Sequence, residues 1–372
     1  MNILNFLQIF ALLGSLFAQQ SKCPNGIRIR KEIRDMTNAE LEALKNAINV
    51  MRSTSTGNRT ETIYDYIVKV HLDYVPIAHN TPQFLPWHRL YVLYVEDILR
   101  QIDPTVTIPY WDWGVDAARP LNSVVFSDKY FNIRPGPQGD CSFRVIYPRV
   151  HCVVRNYNAN NFTTFINSET LQSIASDTEG DYGSFRETIE FIPHAVVHSG
   201  VGGVNGDMTS MMSPNDPIFW LHHSMIDKIW ADWQEQTDNF WLYEGTHLGQ
   251  TASLWNNLEP FKSNVWQSMD FDSLCYRYAP LSNRPQMLSH EELEDTPLPD
   301  RIPLSWIQMH GMDEEKFRNV ENRIRSIMMA QKEGKEISRE ITGAKDNNEG
   351  AKLSSTLFYS IAIALLAFIP AF

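Results

Sequence analysis

Apolar residues recur at helical spacing in several separate parts of the chain. Thr37-Asn38-Ala39-Glu40 is a capping-box pattern, and it precedes apolar residues three or four positions apart from Leu41 to Met51. The same spacing predicts further helices over residues 63–74, 86–99, 184–198, 219–233 and 317–328. Residues 103–167 are richer in Pro, Gly, Asn and Asp, which is typical of irregular loops. Strong helices joined by long loops predict a helical bundle with elaborate connections.

Two apolar runs lie at the ends of the chain. Residues 2–18 are apolar apart from four polar positions and end in the small residue Ala18, which is the layout of a cleaved secretory signal peptide. Residues 353–372 have no charge and follow a polar spacer with small residues. This pattern favours a glycosylphosphatidylinositol signal over a membrane-anchoring helix. Both interpretations place the main domain on the extracellular face of the cell surface, attached through its C-terminal tail, or secreted if the tail is shed.

Cysteine usage agrees with an oxidising compartment. The four cysteines, an even number, allow three pairings. Cys141 and Cys152 are close in sequence, so we expect them to form one disulfide, which leaves Cys23 with Cys275. Neither pair has the spacing of metal ligands, so disulfides are favoured over a zinc site. Two glycosylation sequons suit the same compartment: Asn58-Arg59-Thr60 and Asn161-Phe162-Thr163.

Composition and charge restrict the possible functions. The chain has 372 residues, of which 43% are apolar and 20% charged, and this is the composition of a globular protein. Lys and Arg number 32 against 44 Asp and Glu, which gives a net charge of −12 without any block of like charges. Nucleic acid is therefore a poor candidate partner. Residues 331–352 carry ten charges and few apolar residues, which predicts a solvated stalk.

The 11 histidines are unevenly placed. Seven fall in two stretches of apolar helix: His71, His79 and His88 in the first, and His194, His198, His222 and His223 in the second. A buried imidazole needs a partner, and a cluster of imidazoles is best satisfied by a metal ion. His194 has no adjacent Glu, unlike the zinc proteases, and these helices offer few carboxylates for a di-iron site. Copper and zinc are the ions that remain. The histidines outside these stretches receive no role: His151, His247, His290 and His310.

The residues around the two histidine groups resemble the two copper motifs of the tyrosinase family. The matching segments are residues 79–89 and 108–113 for the first motif, and residues 194–198 and 213–223 for the second. Tyr276-Arg277-Tyr278 is similar to the tyrosine pair that closes the catalytic domain of the family. The resemblance covers roughly residues 60–280 and implies a mainly α fold, in which an antiparallel four-helix bundle encloses a dicopper site, with long irregular loops and little β structure.

The resemblance also implies two copper ions, each with three imidazole ligands. The implied ligands are His71, His79 and His88 for the first ion, and His194, His198 and His223 for the second. His222 would then be a neighbour held by a structural hydrogen bond. Phe219 matches the aromatic residue that stacks on a ligand ring. Asp227 and Arg89 match polar residues that orient the motifs, and a pairing between them is expected.

Two positions depart from the family pattern. Ile77 stands two residues before His79, where members often have a Cys that forms a thioether, so no such bond is expected. Ala195 follows His194, where members that hydroxylate monophenols often have Asn. Glu190 matches the family carboxylate that, together with this Asn, holds a water able to remove the phenol proton. Half of the arrangement is absent, so we expect oxidation of diphenols, with hydroxylation of monophenols weak.

The resemblance implies a copper-dependent phenol oxidase that converts o-diphenols to o-quinones with O2, acting on small phenols or protein tyrosines. One alternative is an oxygen carrier similar to molluscan haemocyanin, and another is a tyrosinase-related protein with altered metal. Carriers have repeated units, each with a β-rich domain over the copper site, and the residues after Tyr278 are too few for such a domain. The predicted organisation is a signal peptide over 1–18, a dicopper catalytic domain over 19–283, a proline-rich extension with a helix over 284–330, the stalk over 331–352 and the apolar tail over 353–372.

Overall fold

The computed structural model describes residues 23–57, 61–131, 133–236, 239–247, 249–284 and 288–335. The predicted signal peptide, the apolar tail, most of the stalk and the first sequon lie outside the described residues. Asn161 of the second sequon is exposed. Within the described part of the chain, no helix is both long enough and apolar enough to cross a membrane.

The described residues are mainly helical with little β structure, and this part of the predicted fold class is confirmed. The α-helices are α1 (Asn38–Ser53), α2 (Ile63–Asp73), α3 (Val75–Ala78), α4 (Phe84–Ile102), α5 (Ser168–Asp177), α6 (Tyr182–Ile189), α7 (Ala195–Gly202), α8 (Ile218–Gln234), α9 (Val265–Met269), α10 (His290–Asp295), α11 (Leu304–Met309) and α12 (Glu314–Lys332). A π-helix, Glu190–His194, joins α6 to α7. The short 3-10 helices are Ile33–Asp35, Pro120–Asn122, Val124–Phe126, Ala159–Asn161, Asp207–Thr209 and Ser213–Asn215.

The β structure of the described residues is limited to short strands in two-stranded sheets. The strands are β1 (Arg28–Arg30), β2 (Asp140–Val145), β3 (His151–Val153), β4 (Thr246–His247), β5 (Gln250–Thr251), β6 (Asn257–Leu258), β7 (Ser263–Asn264) and β8 (Tyr276–Tyr278). Strands β1 and β8 pair in parallel, with Arg28 opposite Tyr276, whereas the other three pairs are antiparallel hairpins. The parallel pair therefore joins a segment near the start of the described chain to the tyrosine motif, with the paired residues 248 positions apart (276 − 28).

Local sequence explains where the main helices begin. The Thr37 side chain accepts from the Glu40 backbone and the Glu40 carboxylate accepts from the Thr37 backbone, so the predicted capping box starts α1. Pro86 lies in the first turn of α4, where its missing N–H costs no intrahelical hydrogen bond. At the start of α8, a side-chain oxygen of Asp216 accepts from the backbone N–H of Ile218 at 2.9 Å.

The main hydrophobic core of the described molecule includes the C-terminal extension. Helix α4 packs against α8, and α1 packs against both α2 and α4. Helix α12 packs against the π-helix, where the Phe317 ring stacks on Phe191 with centroids 5.3 Å apart. Trp306 and Ile307 of α11 are also buried in this core. The extension is therefore packed onto the helices that carry the second histidine group.

Both predicted disulfides are confirmed. Cys23 pairs with Cys275, and Cys141 pairs with Cys152, so that all four cysteines of the sequence are used. The first disulfide lies beside the β1–β8 pair, and the second joins the two strands of the β2–β3 hairpin. No cysteine is left over, and Ile77 occupies the position two residues before His79.

Candidate metal centre

Four α-helices, the π-helix and the turn after α3 bring the seven histidines together. His71 is in the last turn of α2, His79 directly follows α3, and His88 is in the second turn of α4. The second group comes from the π-helix, α7 and α8: His194, His198, His222 and His223. Within each group, one ring nitrogen from every histidine lies within 4.8 Å of the others. The structure therefore forms both groups that were predicted from sequence.

The centre is shielded from solvent. None of the six predicted ligands is more than 5% exposed. Burial lowers the pKa of His71 to about 4 and that of His198 to about 3, and it holds the pKa of His79, His88, His194 and His223 well below the ordinary value. The imidazoles are therefore neutral at physiological pH, which is the form that binds metal ions.

Backbone carbonyls determine which nitrogen of each ring faces the centre. The Nδ1 atoms of four histidines lie 2.7–3.0 Å from a carbonyl oxygen: His71 from Met211, His88 from Phe84, His194 from Glu190 and His198 from Met208. A carbonyl oxygen only accepts, so each Nδ1 carries the hydrogen and each Nε2 keeps a free lone pair. The Nε2 atoms of His71, His88 and His194 are buried without a hydrogen-bond partner among the described residues. They have the environment of atoms that ligate an ion.

The second group also has the spacing that one ion requires. The Nε2 atoms of His198 and His223 lie 3.2 Å apart. Two imidazole nitrogens that bind one ion at about 2.0–2.1 Å each, at a tetrahedral angle, are about 3.3 Å from one another. The Nδ1 atom of His223 is buried without a hydrogen-bond partner within the described residues, so no hydrogen bond at Nδ1 turns the ring away from His198. These residues fit a metal ion held by His194, His198 and His223.

His222 differs from the expectation. It was predicted to make a structural hydrogen bond, but neither of its buried ring nitrogens has a hydrogen-bond partner in the described part of the chain. Its ring instead stacks on His194, with centroids 5.4 Å apart and planes 20° apart. The prediction was wrong because α8 is packed on all sides here, and His222 is fully buried. The second group thus holds four imidazoles. His223 differs from His222 in that its Nε2 atom lies 3.2 Å from the Nε2 atom of His198.

Phe219 and Ala195 lie next to the predicted ligands. The Phe219 ring contacts that of His223, with centroids 4.1 Å apart and planes 32° apart. One turn of helix separates these two residues, which is why they meet. Ala195 is fully buried directly after His194, at the junction of the π-helix and α7. Its methyl group offers no hydrogen bond to a water or to a phenol.

Glu190 connects the second histidine group to the first. One carboxylate oxygen accepts from Nη1 of Arg186 at 2.9 Å, and the other accepts from the backbone N–H of Asn80, the residue after His79. The side chain is fully buried. Burial raises the pKa of Glu190, and the charge of Arg186 opposes this change. The carboxylate therefore fixes the turn that carries His79, a role that the sequence did not indicate.

Asp227 is the centre of a buried hydrogen-bond network behind the copper motifs. Its Oδ1 atom binds Nε of Arg89, so the expected pairing is confirmed. Its Oδ2 atom accepts from the hydroxyl groups of Tyr276 and Tyr278, each at 2.6 Å, and lies 3.3 Å from Nη1 of Arg30. The tyrosine motif thus closes the domain by binding to α8. Arg30, on β1, was missed because nothing near it in the sequence indicates a buried ion pair.

The C-terminal extension also reaches the metal centre. His310, which received no role from the sequence, follows α11 and stacks on Trp306 with ring centroids 3.7 Å apart. The next residue, Gly311, accepts a hydrogen bond through its carbonyl oxygen from the Asn80 side chain at 3.3 Å. No motif or spacing could have indicated this contact, because Asn80 and Gly311 are 231 residues apart.

Comparison with known proteins agrees with this geometry. The family model for the common central domain of tyrosinase matches residues 61–144 and 129–236. A tyrosinase of Streptomyces lincolnensis is 30% identical over 231 residues, which are 53% of this chain and 84% of that protein. Hemocyanin 2 of Megathura crenulata is 32% identical over 228 residues, which are 56% of this chain but only 6% of that longer protein. A polyphenol oxidase variant from Thermothelomyces thermophila has a similar fold, with a TM-score of 0.54 at 21% identity over 68% of this chain and 89% of its own.

A mainly helical fold with two groups of buried, neutral imidazoles defines a metal-binding protein of the dinuclear type. The chain belongs to the tyrosinase family, whose central domain binds two copper ions. The match includes all six predicted ligands, and it ends before the tyrosine motif and the C-terminal extension.

Proposed function

We propose that this protein is a copper-dependent phenol oxidase that converts o-diphenols to o-quinones with O2. The observation that carries the proposal is the pair of buried histidine groups, in which backbone carbonyls hold the Nδ1 hydrogens and leave Nε2 lone pairs free. The helices that supply these groups would form the antiparallel bundle around the site. His71, His79 and His88 would hold one copper ion, and His194, His198 and His223 the other.

The protein's own residues hold and shield the reacting groups. Copper, when bound, supplies the redox chemistry by which a catechol passes two electrons to O2, and the catechol releases two protons as it becomes the quinone. The carbonyls of Phe84, Glu190, Met208 and Met211 hold the imidazoles in one tautomer and orientation. The closed apolar surroundings exclude water from the site.

Diphenols are the favoured substrates because little in the site assists deprotonation of a monophenol. Ala195 has no polar side chain, and both Glu190 oxygens already accept hydrogen bonds from protein groups. Glu190 retains lone pairs that can hold a water, which supports weak hydroxylation. Small phenols and protein tyrosines are the proposed substrate classes.

An oxygen carrier is the second candidate function. The observation in its favour is the 32% identity to Hemocyanin 2 of Megathura crenulata. A carrier and an oxidase need the same metal centre and differ in whether a phenol is admitted and consumed. Sustained O2 uptake in the presence of a catechol supports the oxidase, and reversible O2 binding without turnover supports the carrier.

The proposed location is the extracellular side of the secretory pathway, with attachment through the C-terminal tail. The two disulfides support it, because such bonds persist in oxidising compartments. Treatment of cells with a phospholipase specific for glycosylphosphatidylinositol should release the protein. A protein that stays membrane-bound with residues 353–372 intact would instead have a membrane helix.

The deciding experiment combines metal analysis with O2 uptake on a monophenol and a catechol. We expect two copper ions per chain and clear catechol oxidation. His198→Ala removes one of three imidazoles from its ion, so that copper should be lost and activity should fall by about 10²-fold or more. His290 is an exposed histidine of the extension, and His290→Ala should keep both the copper content and the activity of the wild-type protein. Two bound copper ions and full activity in His198→Ala would contradict the assignment.

A further inference from the structure

The second glycosylation sequon, Asn161-Phe162-Thr163, borders a groove in the described molecule. Asn161 is exposed at the end of the 3-10 helix Ala159–Asn161. All three residues of the sequon line a cavity of about 380 Å³, which is within the range of about 300–1,000 Å³ found for ligand pockets. A group attached to the Asn161 side chain would therefore begin at the wall of this groove.

Three parts of the chain form the walls of the groove. The first is the segment 156–163, and the second is α7 with the turn that follows it. The third wall is the C-terminal extension over 300–309. The groove is thus a seam between the body of the domain and the extension, and an occupant would contact both.

The walls leave apolar surface open to solvent. Val204 is 69% exposed and Met309 is 56% exposed, and both side chains line the groove. The aromatic residues Tyr157, Phe162 and Trp306 line it as well. Exposed apolar side chains that share one groove form a continuous patch, and such patches mark contact surfaces.

The polar residues of the groove favour an uncharged occupant. Asp300 and Arg301 are the charged residues among those that line it, and their formal charges cancel, although the whole chain carries −12. The other polar groups are amides and hydroxyls, from residues that include Asn205, Ser199 and Ser305. N-acetylglucosamine, the first sugar of an N-linked glycan, is uncharged, with an apolar C–H face and a rim of hydroxyl and amide groups. Its chemistry matches that of the groove.

The sequon itself contacts the extension. The Thr163 hydroxyl accepts a hydrogen bond at 2.8 Å from the backbone N–H of Asp300, 137 positions later in the chain. The chain is synthesised from its N-terminus, so the sequon emerges well before Asp300. The Thr163 hydroxyl is therefore free for the glycosylating enzyme at that stage, and the extension packs against a sequon that already carries its sugar.

We propose that Asn161 is N-glycosylated and that the first N-acetylglucosamine lies in the groove, where it fastens the extension to the body of the domain. The donor is an oligosaccharide carried on a lipid diphosphate. Nδ2 of Asn161 gives up a proton to the transferase and forms a bond to C1 of the sugar, while the bond from C1 to the diphosphate oxygen breaks. The proposal depends on the proposed secretory route and is independent of the oxidase function.

Hydrogen exchange on protein secreted from eukaryotic cells tests the proposal. The cells should keep N-glycans in the high-mannose form, and glycopeptide mass spectrometry should find Asn161 occupied. Endoglycosidase H then leaves one N-acetylglucosamine on Asn161, and amide exchange over 300–309 should stay as slow as in the untrimmed protein. In Asn161→Gln, exchange over 300–309 should be about tenfold faster or more, because loss of the sugar contacts raises the population of the locally open state.

Three further variants separate the sugar in the groove from other effects. Asn58→Gln removes the other sequon and should leave exchange over 300–309 unchanged. Thr163→Ser keeps both the sequon and the hydroxyl that Asp300 contacts, so it should match wild type. Val204→Ala shortens an exposed wall of the groove and keeps the sequon. Its Asn161 should stay glycosylated, with an exchange rate between those of wild type and Asn161→Gln.

The possible outcomes are distinct. An unmodified Asn161 in the secreted protein overturns the proposal. So does equal exchange over 300–309 in wild type and Asn161→Gln, or a trimmed protein that exchanges as fast as Asn161→Gln, because the first sugar then makes no contact with the extension. Catechol oxidation is measured separately and changes none of these conclusions, so this proposal and the oxidase function can fail independently.

Discussion

At the level of single residues, four backbone carbonyls determine how the ligand imidazoles are oriented. Two of them lie four residues before their histidine, at Phe84 and Glu190, where the turn of a helix brings Nδ1 and the carbonyl together. These two can be anticipated from sequence once the helices are placed. The other two carbonyls, of Met208 and Met211, lie in or next to a 3-10 helix that packs on α7. Tertiary packing brings them next to the Nδ1 atoms of His198 and His71.

Ala195 should limit the range of substrates. Ala195→Asn adds an amide that can share a water with Glu190, so the monophenol rate should rise about tenfold or more relative to the diphenol rate. Ala195→Leu has a similar shape without the amide and should leave the ratio unchanged. The ratio of initial O2-uptake rates on tyrosine and dopa measures the effect. A ratio that does not move in Ala195→Asn would show that this position does not control deprotonation.

The buried histidines should make the stability of the metal-free protein depend on pH. Their pKa values are lower in the folded state, about 4 for His71 and about 3 for His198, than the ordinary value of about 6.5, so the unfolded chain binds more protons below pH 6.5. Stability should be complete above about pH 6.5 and be lost progressively as the pH falls toward 4. Carboxyl groups whose pKa values are raised by burial act in the opposite direction, among them Glu32, whose pKa rises to about 7, and Glu190. The histidines with lowered pKa values outnumber these carboxyl groups.

Urea unfolding of the metal-free protein at pH 7.5 and pH 5.5 tests this dependence. The urea midpoint should be lower at pH 5.5. Copper-loaded protein should lose at least as much over the same interval, because its bound nitrogens take up no protons while those of the unfolded chain do. Equal midpoints for the metal-free protein at both pH values would mean that the imidazoles are protonated in the folded state.

At the level of elements, the π-helix between α6 and α7 aligns Glu190 with His194. Pro193 has no N–H and cannot donate within a helix, and it lies inside this segment. The sequence predicted one helix over 184–198, whereas the structure has α6, the π-helix and α7 in succession. A wider helical turn at a functional site is a recurring solution to such an interruption.

Helix α8 should depend strongly on Asp227 for stability. Asp227→Ala leaves the fully buried guanidinium of Arg89 without its carboxylate, so the free energy of unfolding should fall by about 3–5 kcal/mol. Asp232→Ala on the same helix removes only an exposed pair with Lys228 and should cost less than about 1 kcal/mol. Urea denaturation gives both values, and equal losses for the two variants would refute the role of the network.

At the level of the whole molecule, the first and last parts of the domain are joined covalently. Cys23–Cys275 spans 252 residues and Cys141–Cys152 spans 11. A longer closed loop restricts the unfolded chain more, so a Cys23→Ala/Cys275→Ala variant should lose about 2–4 kcal/mol. The Cys141→Ala/Cys152→Ala variant should lose less. A reversed order in urea denaturation would show that strain or residual structure outweighs loop entropy.

The sequence alone determined the helices, the disulfide pairing and the candidate ligands. Helical spacing, capping residues and prolines act over a few neighbouring positions, so the start of α1, α4 and α8 follows from local chemistry. Histidine motifs with ordered flanks are long enough to identify the family, and the family match confirms it. Four cysteines in one chain leave few pairings to choose between.

Only the tertiary structure decided how these parts meet. Arg30 reaches Asp227, the Asn80 backbone reaches Glu190, and the Asn80 side chain reaches the Gly311 carbonyl through contacts between residues distant in sequence. The desolvation that keeps the imidazoles neutral, and that leaves His222 without a hydrogen bond, depends on packing from every side. Such effects depend on spatial neighbours, and no periodicity or motif along the chain records which residues those neighbours are.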